Sequence, residues 1–173
     1  EKSEAGMIFS SGMAAVSHCL LAFLHKGDHV VLPQTLYGGT YNFVVEEFHK
    51  FGIEFTFADG FTEKDFAKAI KTNTKVIYAE TPSNPLMKIT DLEIIARLAK
   101  QHSLVSMIDN TFASAINQTP ADFGIDIMIH SATKYMGGHS DICAGAVAAS
   151  SKHMDVIWNM SKNIGGSLSD YTV

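Results

Sequence analysis

The sequence predicts an α/β fold in which a mainly parallel sheet carries helices on both faces. Strand-like and helix-like segments alternate along the 173 residues, which is the pattern produced when crossover helices join parallel strands. Several strand-like segments, such as residues 76–79 and 125–129, are near-continuous apolar runs, a composition typical of strands buried on both faces. Because 46% of the residues are hydrophobic and no linker interrupts the alternation, one core is expected.

The predicted helices are bounded by capping and stop signals. Ser11, Thr62 and Asp91 each precede a helical segment and suit the N-cap position, and Thr62 opens a capping box. Gly27 and Gly52 follow two of the segments, and glycine commonly ends a helix. The predicted helices cover residues 13–25, 40–51, 63–70, 92–102 and 154–162.

The predicted strands are short and lie between these helices. Residues 53–58 combine β-branched and aromatic side chains, and residues 75–80 lead into a loop that Pro82 and Pro85 stiffen. The predicted strands cover residues 29–32, 53–58, 75–80, 104–109, 126–130 and 143–149. Open parallel sheets bind ligands at the carboxyl ends of their strands, so chemically active side chains are sought there.

Residues 131–134 follow a predicted buried strand and carry two hydroxyls and an amine. Desolvation at this position would disfavour the ammonium form of Lys134 and leave a nucleophilic amine. The hydroxyls of Ser131 and Thr133 can donate hydrogen bonds to a phosphate without adding charge. A Schiff-base lysine beside a phosphate anchor indicates a pyridoxal 5'-phosphate (PLP) site. The alternative for this segment alone is a solvated surface lysine.

Asp109 lies at the end of the predicted strand of residues 104–109. Acids are rarely buried without a partner. The protonated pyridine nitrogen of PLP is such a partner, and a carboxylate keeps it protonated. The alternative is a turn aspartate, because Asp-Asn favours turns. One crossover and one strand separate Asp109 from Lys134, which places both residues at the same edge of a parallel sheet.

Two further segments fit the same interpretation. The N–H groups at the start of the first helix, where Gly12 permits close approach, can bind a phosphate with help from the helix dipole. Tyr37 lies in a glycine-rich loop after a strand and can stack on a flat cofactor ring. The alternatives are an ordinary capped helix and a turn that contains a tyrosine.

Five motifs occur together along the chain: SSGMAA (10–15), LYGGTYN (36–42), ETPSNP (80–85), DNTF (109–112) and HSATKYMGGHSD (130–141). With these motifs the chain resembles the Cys/Met-metabolism PLP enzymes. That family includes cystathionine γ-synthase, the cystathionine lyases, methionine γ-lyase and O-acetylhomoserine sulfhydrylase. The resemblance extends over essentially the whole sequence and implies the large domain of a fold-type I PLP enzyme.

The resemblance implies a role for each matched residue. Lys134 would bind the cofactor as a Schiff base and move protons between substrate carbons. Asp109 would pair with the pyridine nitrogen, and Tyr37 would stack on the ring and act as acid or base near the leaving group. Asn84 would lie near the phenolic oxygen, and Thr111 would support the ring or Asp109. The implied cofactor-binding residues, several of which hold the phosphate, are Gly12, Met13, Tyr37, Asn84, Asp109, Thr111, Ser131, Thr133 and Lys134.

Several functions are compatible with this resemblance. We favour a PLP-dependent C–S lyase that performs β- or γ-elimination on methionine, cystathionine or a related amino acid. One alternative is a γ-replacement transferase, either O-acetylhomoserine sulfhydrylase or cystathionine γ-synthase, and another is an inert isolated domain. Gly39 stands where methionine γ-lyases often carry cysteine, which favours the other members. A simple nucleotide-binding module is disfavoured because neither GxGxxG nor GxxxxGK[ST] occurs.

Composition argues against several other classes. The net charge is −5 without a basic cluster, so nucleic acid is not expected as a partner. Cys19 and Cys143 have neither zinc-like spacing nor a disulfide framework, which fits the cytoplasm. No metal ligand is assigned, and His130 and His139 are interpreted as structural. The apolar runs are too short to span a bilayer.

Residues 1–173 are expected to be the PLP-binding large domain of a longer enzyme, without its N-terminal segment and C-terminal domain. A substrate α-carboxylate usually calls for a bidentate arginine. Arg97 is the sole arginine and lies mid-helix in a solvated position, so it is a poor candidate. The resemblance places that arginine in the C-terminal domain. It also implies a homotetrameric parent, a dimer of dimers, that acts on a small sulfur amino acid or homoserine ester without a membrane partner.

Overall fold

The computed structural model describes residues 1–169, in which a seven-stranded sheet forms the centre of the fold. The strands are β1 (Ala5–Phe9), β2 (His29–Pro33), β3 (Glu54–Ala58), β4 (Thr74–Glu80), β5 (Val105–Asp109), β6 (Ile127–His130) and β7 (Gly145–Ala149). Their spatial order is β1-β7-β6-β5-β4-β2-β3. The five strands from β6 to β3 are parallel, whereas β7 is antiparallel to both β6 and β1. The predicted mainly parallel sheet is therefore confirmed.

Helices cover both faces of this sheet. They are α1 (Gly12–Phe23), α2 (Gly38–Phe51), α3 (Glu63–Ala69), α4 (Leu92–His102), the short α5 (Ser114–Asn117) and α6 (Ser151–Ile164), with a 3₁₀ turn at Pro120–Phe123. One hydrophobic cluster joins α1, α2 and α6 to one face, with Leu20, Phe48 and Ile157 fully buried. A second cluster joins α3 and α4 to the other face, with Phe66 and Ile95 fully buried.

The central strands serve both clusters, which explains their apolar composition. In β4, Val76 and Tyr78 belong to the first cluster, whereas Ile77 and Ala79 belong to the second. All four side chains are fully buried. Successive side chains in a strand point to opposite faces, so a strand covered on both faces must be apolar at every position.

Most of the predicted caps are present. The Ser11 side chain accepts a hydrogen bond from the Ala14 N–H, and the Asp91 side chain accepts one from the Glu93 N–H. Thr62 closes a reciprocal capping box at the start of α3. Gly52 ends α2 in the left-handed conformation that glycine adopts readily. Local hydrogen bonding therefore determined these helix ends as the sequence indicated.

The predicted end of the first helix was wrong. The helix α1 stops at Phe23 because Leu24 adopts an extended conformation and is only 3% exposed within the first hydrophobic cluster. Gly27 does not cap the helix; its N–H donates to the Gly52 carbonyl at 2.8 Å. Packing of a leucine in the core, rather than a glycine signal, decided this boundary.

Close approach requires glycine where β7 passes the start of α1. A Cβ built on Gly145 would lie 2.1 Å from the Ser11 carbonyl oxygen, far inside any real contact. This glycine brings the α1 N-terminus against the antiparallel part of the sheet, next to the strand ends that carry the site.

No helix within residues 1–169 is long and apolar enough to cross a membrane.

Candidate active site

A cavity of about 390 Å³ lies at the carboxyl ends of β2, β4, β5 and β6. Small-molecule sites in proteins have this size and this location in α/β sheets. The cavity brings together all nine predicted cofactor-binding residues, which are Gly12, Met13, Tyr37, Asn84, Asp109, Thr111, Ser131, Thr133 and Lys134. Five further residues also line it, namely Ser11, Val16, Glu80, Phe112 and Cys143.

Asp109 is the last residue of β5 and is 8% exposed. Its Oδ1 atom accepts hydrogen bonds from the Thr111 N–H at 3.0 Å and the Thr111 hydroxyl at 2.5 Å. Its Oδ2 atom lies 3.4 Å from the Tyr78 hydroxyl, a long contact. Burial raises the pKa of this carboxyl above its ordinary value, while the Thr111 hydrogen bonds oppose that rise. A cationic partner would therefore stabilise the ionised form.

Thr111 links the ends of β5 and β6. While its hydroxyl donates to Asp109, the same oxygen accepts a hydrogen bond from the Ser131 N–H at 2.8 Å. Of the two supporting roles that the sequence suggested for Thr111, the hydrogen bonds fit the one toward Asp109. One hydroxyl thus ties the carboxylate to the segment that carries Lys134.

Lys134 lies in a tight turn after β6. Its N–H donates to the Ser131 carbonyl at 3.0 Å, and its own carbonyl accepts from the Gly138 N–H at 2.7 Å. The side chain lines the cavity, but the residue is exposed. The expectation that Lys134 is desolvated at the end of a buried strand is therefore wrong for this structure. The reason is that β6 ends at His130, four residues earlier, and the turn carries the lysine beyond the buried layer.

The start of α1 faces the same cavity. Ser11 caps the helix through the Ala14 N–H, so the N–H groups of Gly12 and Met13 precede that bond in the first turn. N–H groups in a first turn have no partner within the helix. A Cβ on Gly12 would lie 2.7 Å from the Ser131 Cβ. The glycine therefore allows the start of α1 to contact the segment that carries Lys134. Unpartnered N–H groups at a helix start are suited to bind an anion.

Replacing Gly12 with alanine is expected to weaken PLP binding about 5- to 150-fold, because overpacking of about 1–3 kcal/mol must displace Ser131 or the helix start. Fluorescence titration of the cofactor-free full-length protein with PLP would measure the change. Gly38→Ala is the matched control, since nothing lies within 4 Å of a Cβ there. Equal PLP affinity in Gly12→Ala and the wild type would contradict the assignment of this helix start.

Thr133 is held differently from Ser131. Its hydroxyl accepts a hydrogen bond from the Ala144 N–H at 2.9 Å and lies 3.2 Å from the Ala144 carbonyl, to which it donates. To donate to a phosphate, this hydroxyl must exchange the long bond to Ala144 for a bond to the ligand. The Ser131 hydroxyl has no such bond to Ala144. It can therefore donate to a phosphate without first giving up that contact, whereas the Thr133 hydroxyl cannot.

Sequence reasoning missed Glu80, the last residue of β4. Its two carboxylate oxygens accept hydrogen bonds from the backbone N–H groups of Tyr37 at 2.7 Å and Asn84 at 2.8 Å. Burial and the nearby charge of Asp109 raise the pKa of Glu80 to about 7, against the lowering effect of the two hydrogen bonds. The available signal was the same one that identified Asp109: an acid that directly ends a buried apolar strand.

Three further polar residues, His130, His139 and Arg97, have hydrogen-bond partners within the chain. His130 is 2% exposed, and its Nε2 lies 2.5 Å from a Glu1 carboxylate oxygen, while the His139 Nδ1 lies 3.0 Å from the Gly137 carbonyl. Arg97 does not line the cavity; its guanidinium donates two hydrogen bonds to Glu63. Among residues 1–169, no cluster of histidine, cysteine and acidic side chains suits a metal ion.

Fold and cavity together describe an α/β protein with a small-molecule site that combines an anion-binding helix start, a buried carboxylate and a lysine. The family of Cys/Met metabolism PLP-dependent enzymes matches residues 1–172, and the chain belongs to this family. The resemblance inferred from the five motifs is thus confirmed.

Known relatives agree with this membership. The chain is 46% identical over 168 residues to cystathionine gamma-lyase of Bacillus subtilis, covering 97% of this chain and 44% of the relative. It is 43% identical over 155 residues to cystathionine gamma-synthase/O-acetylhomoserine (thiol)-lyase of the same organism, covering 89% and 41%. The crystal structure of cystathionine gamma-lyase from Lactobacillus plantarum superposes with a TM-score of 0.94 at 41% identity, covering 98% and 45%. The chain therefore spans less than half the length of these relatives.

Proposed function

We propose that this chain is the cofactor-binding part of a PLP-dependent C–S lyase that performs β- or γ-elimination on methionine, cystathionine or a related amino acid. The observation that carries the proposal is the convergence of Lys134, Asp109 and the α1 N-terminus on one cavity. Membership of the PLP-dependent family and the likeness to cystathionine gamma-lyase support it.

The residues around the cavity fit PLP in charge and shape. The N–H groups of Gly12 and Met13 suit the phosphate, and the hydroxyl of Ser131 lies beside them. The buried carboxylate of Asp109 suits a protonated pyridine nitrogen, which would remove the cost of an unpaired buried charge. Tyr37 is 47% exposed and lines the cavity, so its ring is available to stack on a flat ligand.

When bound, PLP supplies an electron sink for the electron pair that remains when the substrate α-carbon loses its proton. In the proposed reaction the Lys134 amine removes that proton. For γ-elimination the same amine removes a second proton, from the β-carbon, which requires a lysine free to move between the two carbons. The exposed position of Lys134 at the end of a turn allows such movement. The Asp109 carboxylate would stabilise the positive charge on the pyridine nitrogen, and that charge makes the electron sink effective.

The leaving thiol needs a proton as the C–S bond breaks, and we assign this proton to Tyr37 or Lys134. Both residues line the cavity from different elements, Tyr37 from the connection between β2 and α2 and Lys134 from the turn after β6. A substrate between them would present its α-carbon to one residue and its side chain to the other.

A γ-replacement transferase is the second candidate function. It begins with the same proton removals, but the C–O bond at the γ-carbon of a homoserine ester breaks, the carboxylate leaves, and a thiol or sulfide forms the new C–S bond. One observation favours it, the likeness to the synthase/(thiol)-lyase of Bacillus subtilis, whereas glycine at position 39 argues only against methionine γ-lyase. A side chain there would begin 2.5 Å from the Tyr37 ring, so the glycine leaves the ring its present position.

We also infer that residues 1–173 form the large, PLP-binding domain and that the substrate carboxylate is bound by residues outside it. The position of Arg97 supports this inference. Its guanidinium donates two hydrogen bonds to Glu63, and Arg97 does not line the cavity. Free thiols at Cys19 and Cys143, the cysteines of the chain, fit a reducing cytoplasm.

We propose that the full-length protein is a homotetramer, as the family resemblance implies, and exposed apolar side chains support an interface. Leu86, Met87 and Ile89 are exposed on the loop after β4, and Ile116 is 92% exposed in α5. Apolar side chains grouped in this way commonly mark protein interfaces. Light scattering of the full-length protein is expected to give four times the mass of one chain, and a monomer would contradict the proposal.

The choice between lyase and transferase can be made by product analysis of the full-length protein with PLP. Cystathionine cleaved at the β-carbon gives pyruvate and homocysteine, and cleavage at the γ-carbon gives 2-oxobutyrate and cysteine. We expect a 2-oxo acid and ammonia from cystathionine or methionine at a higher kcat/KM than homocysteine formation from O-acetylhomoserine and sulfide. The reverse order would select the transferase, and no turnover with PLP bound would refute both.

A further inference from the structure

Two acids, Glu80 and Asp109, end neighbouring strands at the edge of the cavity. The proposed reaction uses Asp109 but not Glu80. Glu80 and Asp109 are register partners in the parallel pair of β4 and β5. Glu80 is 5% exposed and lines the cavity. Acids are rarely buried without a specific reason. The hydrogen bonds of Glu80 indicate what that reason is.

We propose that Glu80 is a positioning residue that sets the places of Tyr37 and Asn84 around the cofactor by binding the backbone N–H group of each. The proposal deepens the proposed function and rests on it. One carboxylate oxygen accepts from the Tyr37 N–H at 2.7 Å and the other from the Asn84 N–H at 2.8 Å. A single side chain on a rigid strand therefore holds both flanking loops.

The loops that carry Tyr37 and Asn84 belong to different connections of the chain. Tyr37 precedes α2 as its N-cap residue, and no side chain caps that helix end. Asn84 lies in the connection between β4 and α4. The two residues are far apart in sequence, so their spacing across the cavity is not determined by local chain geometry. Because Glu80 binds both residues, the position of β4, the strand paired with both β2 and β5, sets that spacing.

Only an ionised carboxylate can perform this task. Both bonds require acceptors, and a carboxylate offers acceptors on both oxygens, whereas an amide or a protonated acid presents a donor on one side. Hydrogen bonds to a charged acceptor are also about twice as strong as neutral ones. Burial and the charge of Asp109 raise the pKa of Glu80 to about 7, and the two N–H groups oppose that rise, so the two hydrogen bonds are complete only above about pH 7.

Glu80→Gln tests the proposal because it preserves the shape of the side chain while placing an amide N–H against a backbone N–H. In the full-length holoenzyme we expect kcat to fall about 10- to 100-fold, as for loss of one charge-assisted hydrogen bond, with a change in KM of less than about threefold. The circular dichroism of the bound cofactor should change, because the ring that stacks on it is displaced. PLP content should stay at the wild-type level. Glu54→Gln, in an exposed pair with Lys71, is the control and should match the wild type in every readout.

A double-mutant cycle separates positioning from a purely structural effect. If Glu80 acts through the position of the Tyr37 ring, Glu80→Gln should cost at least threefold less in kcat/KM when introduced into Tyr37→Ala than in the wild type. Fully additive losses, or an unchanged dichroism of the bound cofactor in Glu80→Gln, would overturn the inference. If the wild type bound no PLP at Lys134, the proposed function itself would fail, and the inference with it.

Discussion

Replacing Lys134 with alanine is expected to lower kcat/KM for elimination by about a thousandfold or more, because the variant loses the base that removes the substrate α-proton. The PLP absorption band of the wild type should become covalently fixed after borohydride reduction, and that of the variant should not. PLP should still bind to the variant without a covalent bond, since Asp109 and the α1 N-terminus are unchanged. Steady-state kinetics and mass spectrometry of the reduced proteins measure both effects.

The control for this experiment is Lys64→Ala, which removes the same charge from an exposed site in α3. It should leave activity and borohydride labelling at the wild-type level. Covalent labelling of Lys134→Ala at another lysine, with activity retained, would show that the assignment of Lys134 is wrong.

Asp109→Asn is expected to lower kcat/KM by about 150- to 5000-fold, as when a buried ion pair of about 3–5 kcal/mol loses one partner. Asparagine has nearly the same shape and its carbonyl can still accept from Thr111, so the main change is the lost charge. The pyridine nitrogen would no longer be held protonated, and the electron sink would weaken. The readouts are steady-state kinetics and the absorption spectrum of the bound cofactor.

The same substitution should have the opposite effect on the stability of the cofactor-free protein. Folding raises the pKa of the Asp109 carboxyl, so the folded chain binds a proton more tightly than the unfolded chain. Stability then falls as the pH rises from the ordinary aspartate value through the raised value of the folded state, and the loss persists above it. Asp109→Asn removes that loss, so its thermal midpoint at neutral pH should equal or exceed that of the wild type.

The control for Asp109→Asn is Asp122→Asn, which removes a carboxylate from an exposed pair with Lys2. It should change neither activity nor the spectrum. Activity close to wild type in Asp109→Asn would show that Asp109 does not stabilise the charge of the ring, and a strongly lowered thermal midpoint would contradict the pKa direction.

The sequence allowed the sheet and the composition of the site to be predicted because both depend on local patterns. The apolar run at residues 76–79 indicated a strand buried on both faces, and β4 contacts both hydrophobic clusters. Asp109 and the segment of Lys134 were expected at one sheet edge, and β5 and β6 are parallel neighbours there. The capping box at Thr62 was predicted from side-chain chemistry within four residues and is present.

The predictions that failed concern burial and contacts, which side-chain periodicity does not indicate. Lys134 was expected to be buried, but a turn carries it beyond the end of β6. The first helix was expected to run to residue 25 with Gly27 as its cap, but the packing of Leu24 ends it at Phe23. The role of Glu80 was not foreseen, because its partners Tyr37 and Asn84 lie on different connections.

By itself, the sequence determined most of the helices and strands, though not β1, that the sheet is mainly parallel, and most of the polar residues that gather at its carboxyl edge. Side-chain periodicity and capping act over a few residues, and parallel strands with crossover helices leave few topologies open. Only the tertiary structure decided the burial of each group and the bonds between loops, including the link from Thr111 to Asp109 and the bridge made by Glu80. Burial and hydrogen bonding depend on neighbours brought together by folding, and no local pattern in the chain specifies those neighbours.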